Sequence, residues 1–293
     1  MKHSNNHVSI PTLVTALTLA CLCQADAATV ALQNATATYS QTTDGAGNPQ
    51  AHPVSAAIDG NFGVPNPLDG WAIYEDTGIL GVDDQTHAQT AVFETVSDVG
   101  FLGSSIFTFR LFQNQPNHLL GRFRFSVTTD NRSTFADGLE SGGDVTANWV
   151  VLNPSALTSA NGVTLTELGD FSILASGFAP STDTYTITAP TTLTGITGMR
   201  LEVFEDSSLP FNGPGSQVQN GNFVLTEFTV DIVPEPSTAT LGLFGILVAA
   251  SRRRRNERTA QPCADLTATH EHTKSPNKGA AANCSARHGS CYF

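Results

Sequence analysis

Arg122-Phe123-Arg124-Phe125-Ser126-Val127-Thr128 decides the fold, because it alternates without a slip. A period of two places Phe123, Phe125 and Val127 on one face and Arg122, Arg124, Ser126 and Thr128 on the other, which is the pattern of a strand buried on one side. Upstream, Ile106-Phe107-Thr108-Phe109-Arg110-Leu111 repeats it, with Phe107, Phe109 and Leu111 inward and Arg110 outward. If these two strands pair across the loop at 114–120, three of the domain's five arginines share one polar face.

Working outward, alternation with β-branched and aromatic residues recurs at 31–39, 71–75, 90–96, 149–152, 163–168, 183–188, 199–204 and 222–232. Turn pairs such as Asp59-Gly60, Asp69-Gly70, Asp137-Gly138, Asn161-Gly162 and Asn220-Gly221 punctuate the runs. No stretch there keeps a helical apolar period over three turns. The expected fold is all-β: two packed antiparallel sheets in a β-sandwich of jelly-roll type, spanning residues 28–232.

Residues 1–27 read as a secretory signal for signal peptidase, with Lys2 and His3, an apolar run from Leu13 to Leu22, and the small-residue site Ala25-Asp26-Ala27. Cys21 and Cys23 raise a lipoprotein reading, but Thr18 and Ala20 stand three places before them, where a lipobox wants Leu. The span 28–232 holds no Cys, so its stability must come from a buried core, and it offers neither a thiol nucleophile nor a thiolate for zinc. It also holds 21 Asp and Glu against five Arg and no Lys, a charge of −16. Such a surface repels phosphate backbones and excludes nucleic acid as the expected partner.

After the last strand come Val233-Pro234-Glu235-Pro236, an apolar run from Ala239 to Ala250 broken only by Thr240, and Arg252-Arg253-Arg254-Arg255. The run is short of the roughly 20 residues of a comfortable membrane span, and the arginines would hold its end on the cytoplasmic side. Pro234 and Pro236 argue against a regular strand or helix and for an extended, protease-accessible stretch. Together they describe a transient stop-transfer signal.

This three-part pattern at 233–255 resembles the PEP-CTERM sorting signal of Gram-negative and planctomycete-like bacteria. The resemblance implies transient insertion in the inner membrane, recognition there by an exosortase, cleavage near Pro-Glu-Pro, and delivery to the cell surface or the exopolysaccharide matrix. The chain departs from the family by running 38 residues past Arg255. That tail, 256–293, is polar, and disorder is expected. Its Cys263, His270, His272, Cys284, His288 and Cys291 lack the CxxC or HxxxH spacing of a zinc site.

A second resemblance covers most of the sandwich. Ala35-Thr36-Ala37-Thr38-Tyr39-Ser40, Ala57-Ile58-Asp59-Gly60-Asn61, Gly70-Trp71 and Phe223-Val224-Leu225-Thr226-Glu227-Phe228 are similar in layout to galactose-binding-like (discoidin-type) jelly rolls, including modules of planctomycete secreted proteins. The resemblance implies a structural calcium held by Asp59, Asn61 and Glu227, with backbone carbonyls completing its oxygen shell. A plain turn at Asp59-Gly60 and a solvent-facing Glu227 form the competing reading.

Carbohydrate binding needs an aromatic platform and planar hydrogen-bonding groups, for which Trp71, His118, Arg110, Arg122 and Arg124 are the main candidates, with Tyr74 and Trp149 behind them. The tryptophans begin strands and suit the core equally, and the arginines suit pairing with the abundant acids. Enzyme motifs are absent: there is no Gly-x-Ser-x-Gly, phosphate loop or His-Glu-x-x-His, and the neighbouring acids Glu75-Asp76 and Asp83-Asp84 point to opposite faces if in strands. The expectation is a non-enzymatic surface or matrix protein that binds polysaccharide, or alternatively one that acts structurally through self-association.

Overall fold

In the computed structural model, residues 26–44, 48–62, 69–74 and 87–235 are described. The signal segment before Asp26, Pro236, the apolar run, Arg252 to Arg255 and the tail lie outside the described residues, as do the acids at 75, 76, 83 and 84. Among the described residues there is no α-helix, and no helix is long and apolar enough to cross a membrane.

The described residues form sixteen strands in chain order. The first five are β1 (Ala28–Thr29), β2 (Leu32–Ala37), β3 (Gln41–Thr43), β4 (Pro49–His52) and β5 (Trp71–Ala72). Then come β6 (Gln89–Val99), β7 (Ser105–Gln113), β8 (Arg122–Thr128), β9 (Val150–Val151), β10 (Ala156–Ser159) and β11 (Thr164–Glu167). The last are β12 (Ile173–Ser176), β13 (Asp183–Thr191), β14 (Ile196–Val203), β15 (Val224–Leu225) and β16 (Glu227–Pro234). One main sheet is ordered β1-β16-β7-β13-β10 and the other β11-β12-β8-β14-β6-β2, with β9 beside β8. All pairings are antiparallel, and from β6 onward most connections cross from one main sheet to the other, β8 to β9 and β11 to β12 being exceptions, the alternation of a jelly roll.

The sheets meet through phenylalanines. Phe109 of β7 stacks on Phe125 of β8 at 4.3 Å between ring centres, Phe228 of β16 lies 5.9 Å from Phe125, and Phe93 of β6 lies 5.2 Å from Phe228. Phe107, Leu111, Phe123 and Val127 are fully buried around them, so both decisive strands face as their alternation requires.

They do not pair with each other, however. β7 lies between β13 and β16, and β8 lies between β14 and the β12/β9 side of the opposite sheet. The 114–120 loop is therefore a crossover between layers. Arg110 emerges on one outer face of the sandwich, and Arg122 and Arg124 on the other.

The last strand also runs further than its prolines suggest. Val233 pairs with Ile106 and Pro234 with Ser105, and the Glu235 N–H donates to the Ser104 carbonyl at 3.1 Å. The parity of the ladder explains why proline is tolerated. Glu235 bonds toward β7, whereas the Val230 carbonyl accepts from the Val30 N–H on the other side. A donor at position 234 would thus point away from β7, to the side where β1 has already ended opposite Ile232.

These registers give the sandwich two distinct poles. Ala28 pairs with Ile232 and Thr29 with Asp231, so the start of β1 and the end of β16 emerge together. At the opposite pole lie the end of β7, the starts of β8, β13 and β16, and the loops between them.

Candidate functional site

That far pole carries the acids singled out for calcium. A 3-10 helix, Val54–Ile58, delivers the chain into Asp59 and Gly60, where φ is +80°. The Gly60 N–H donates to Glu227 Oε2 at 3.1 Å, and the Asn61 N–H donates to Asp59 Oδ1 at 2.8 Å. The Asn61 amide nitrogen donates to Asp69 Oδ1 at 2.9 Å. The expected trio is therefore brought together, and Asp69, read from sequence only as a turn, joins it. Gly70 makes this possible: its φ is +102°, and a Cβ there would fall 2.5 Å from the Leu225 carbonyl oxygen.

Glu227 is buried rather than solvent-facing. Burial pushes its carboxyl up to about 7, the Gly60 N–H pulls the other way, and the charges of Asp59 and Asp69 push it up again. Burial and Asp59 likewise raise Asp69. Hard oxygens under mutual repulsion suit a divalent cation that prefers oxygen. Among the described residues no three His, Cys, Asp or Glu side chains form a ready-made cage, so a cation here would draw further oxygens from backbone carbonyls.

Beside the acids sit two histidines. His52 on β4 is buried, its Nδ1 has no hydrogen-bond partner, and burial brings it down to about 4 against the opposing pull of a hydrogen bond to the Gly70 backbone. The charge of His118 lowers it further. His118 is half-buried, and burial lowers it too. Its Nδ1 lies 2.7 Å from the Pro116 carbonyl, which makes Nδ1 the donor and leaves Nε2 to accept from the Gln217 amide at 3.4 Å.

Next to Gln217 runs an apolar groove of about 280 Å³, floored by Leu120, Tyr185 and Leu209. A second hollow of about 330 Å³, with Asn117 and Gln217 in its wall, shares Ala179, Ser216 and Val218 with it. Phe178 is 68% exposed and Val218 74% exposed along the rim. The Tyr185 hydroxyl is already committed, donating to the Leu120 carbonyl at 3.2 Å. Phe178 was not anticipated from sequence. Its signal is an aromatic residue set between Gly177 and Ala179-Pro180, where a core role is hard to satisfy.

The remaining sugar candidates scatter. Trp71 is fully buried, edge-on to Phe223 with ring centres 5.2 Å apart, and donates its indole N–H to the Tyr39 carbonyl at 3.1 Å. Arg110 pairs with Asp231 on the outer face of the β7 sheet. Arg122 and Arg124 share the other outer face, 5.4 and 5.0 Å from the Phe204 ring centre. Arg122 reaches Asp170 at 3.1 Å and Asp206 at 3.5 Å. Arg124 grips Glu202 with two nitrogens, at 2.9 and 3.2 Å, and Arg200 meets the same carboxylate at 3.1 Å. These guanidinium groups are taken up by acids, the duller of the two roles open to them.

Residues 233–255 match the family of the PEP-CTERM protein-sorting motif. The chain thus carries an exosortase sorting signal and is exported to the cell envelope or surface. No curated protein matches the sequence. Among solved structures, a chain of the Streptococcus pneumoniae β-galactosidase BgaA is similar over 71% of this chain and 99% of its own, at 11% identity and a TM-score of 0.39.

Proposed function

We propose that the exported sandwich is a non-catalytic binding module whose far pole recognises polysaccharide, with calcium held at Asp59, Asn61, Asp69 and Glu227. The observation that carries this reading is the position of the groove. It lies at the pole opposite the chain ends, the pole that also carries the acid turn, with Phe178 exposed on its rim and the Gln217 amide and His118 at its side. An exposed aromatic ring beside planar amide groups matches the alternating apolar and hydroxyl faces of a pyranose. The apolar run at 239–250 would anchor the chain in the inner membrane until exosortase acts, after signal peptidase has removed the leader.

A glycan array with residues 28–235, run with calcium and with chelator, tests the reading. The expected outcome is calcium-dependent binding that is lost in F178A. Absence of binding to every glycan, the producer's own polysaccharide included, would sink it. The same exposed Phe178 and Val218 also suit a second copy of the chain, the structural alternative. Concentration-dependent dimers that F178A abolishes, without glycan binding, would favour that alternative.

A further inference from the structure

The pole at which the chain ends emerge has a surface unlike the rest of this acidic domain. It is built from the turn between β6 and β7 and the turn between β13 and β14, held together where the Ser104 hydroxyl donates to the Thr191 carbonyl at 3.3 Å. Residues 99–106 and 190–197 contain no charged side chain, in a domain where Asp and Glu number 21. At the tip of the first turn Leu102 is 94% exposed and Phe101 is 38% exposed. The charges that border these turns include Glu235, Asp98 and Asp130, of which Asp98 is held by Arg132 at 2.8 Å and Asp130 accepts the Thr197 hydroxyl at its carbonyl at 2.6 Å.

Chain length fixes what this tip can reach. The Glu235 N–H is bonded to the Ser104 carbonyl, two residues from Leu102. The apolar run begins at Ala239, four residues after Glu235. Four residues span at most about 14 Å when fully extended. Wherever the run enters a bilayer, Glu235 is held within that distance of the entry point, and Leu102, one strand spacing and two residues further on, within about 25 Å. Leu and Phe are stabilised in the interfacial layer of a membrane, and acids are repelled by anionic headgroups.

We infer that Phe101 and Leu102 form a lipid-contacting tip that seats the sandwich on the membrane surface, with the groove pole pointing away. The inference rests on the reading that 239–250 inserts. Contact of this kind would restrict the tilt of the domain and fix the path from Pro234 into the bilayer.

The test uses the full chain in phosphatidylethanolamine and phosphatidylglycerol vesicles, with or without bromine on the acyl chains. Flotation with the vesicles reports insertion, and bromine quenching of an added indole reports the tip. In L102W the added emission is expected to be lost in brominated vesicles, while the parent chain and V218W, at the far pole, keep theirs. Flotation with unquenched L102W overturns the tip contact alone. Equal quenching of V218W overturns the stated orientation and with it the inference. A chain that does not float overturns the insertion reading and the tip contact together.

Discussion

The backbone N–H of Gly60 donates to the Glu227 carboxylate across 3.1 Å, joining the turn after the 3-10 helix to the first residue of the last strand. A carboxyl raised from 4.5 to about 7 binds its proton more tightly folded than unfolded, so its contribution to stability is lost as pH rises through that window. His52, lowered from 6.5 to about 4, does the opposite: the unfolded chain takes up the proton first, and stability is lost as pH falls from 6.5 toward 4. In chelator the two slopes oppose each other between pH 4.5 and 6.5. Thermal melts across this range should show E227Q losing stability toward acid and H52L losing it toward neutral pH. Parallel profiles for both variants would contradict the assignment.

Calcium must displace the Glu227 proton, so its stabilising effect should grow with pH. The melting temperature is expected to rise on adding calcium at pH 8, and by much less at pH 5. E227Q and D59N should lose most of the increment. An unchanged melting temperature on chelation at pH 8 counts against the cation.

For the glycan, F178A and Q217A should each weaken binding at least tenfold, about 1.4 kcal/mol, with the melting temperature unchanged. The double variant R122A/R124A should leave affinity intact, because both guanidinium groups already face carboxylates. Titration calorimetry separates the two outcomes. Loss of binding in R122A/R124A alone would move the site to the face around Phe204.

Glu202 bonds both Arg124 and Arg200 and offsets the repulsion between them. Removing it leaves two half-buried cations side by side. E202A should therefore cost about 1–3 kcal/mol in denaturant unfolding, more than either arginine variant. A neutral effect would mean that solvent already screens the trio.

Processing should respect the β7–β16 ladder. Val233 and Pro234 are zipped to Ile106 and Ser105, so a peptidase cutting before Glu235 would first have to open these rungs of the folded domain. Mass spectrometry of the mature protein should place its C-terminus at or after Glu235. A terminus upstream of Val233 would show that the last rungs open first.

Strands with a buried face were legible wherever large apolar residues alternated, as in β6, β7, β8 and β14. The missed strands lacked that signal. Gln41-Thr42-Thr43 and Pro49-Gln50-Ala51-His52 pair as a polar hairpin, and Ala156-Leu157-Thr158-Ser159 is an exposed edge. Ile173-Leu174-Ala175 is an apolar run too short for its period to be read. The anticipated single strand at 222–232 is divided at Thr226, where the chain leaves β5 for β7. Layer assignment was the real gap. Alternation says which side of a strand is buried and nothing about which sheet holds it, so whether β7 and β8 pair, the condition for their arginines to share one face, is not legible in the sequence. Asp59, Asn61 and Glu227 were found because local turn chemistry and a family layout coincide there. Phe178 and Gln217 belong to loops with no period at all.

Because β16 runs lengthwise between the poles, a pull between Pro234 and a ligand held at the groove acts along that strand. Its eight residues would then slide against β7 in shear, with all their rungs loaded at once, and not peel away one rung at a time. Strain of that kind is resisted by the whole ladder together. If the groove holds a polymer while the 239–250 run is inserted, as proposed above, the domain would carry tension between the two.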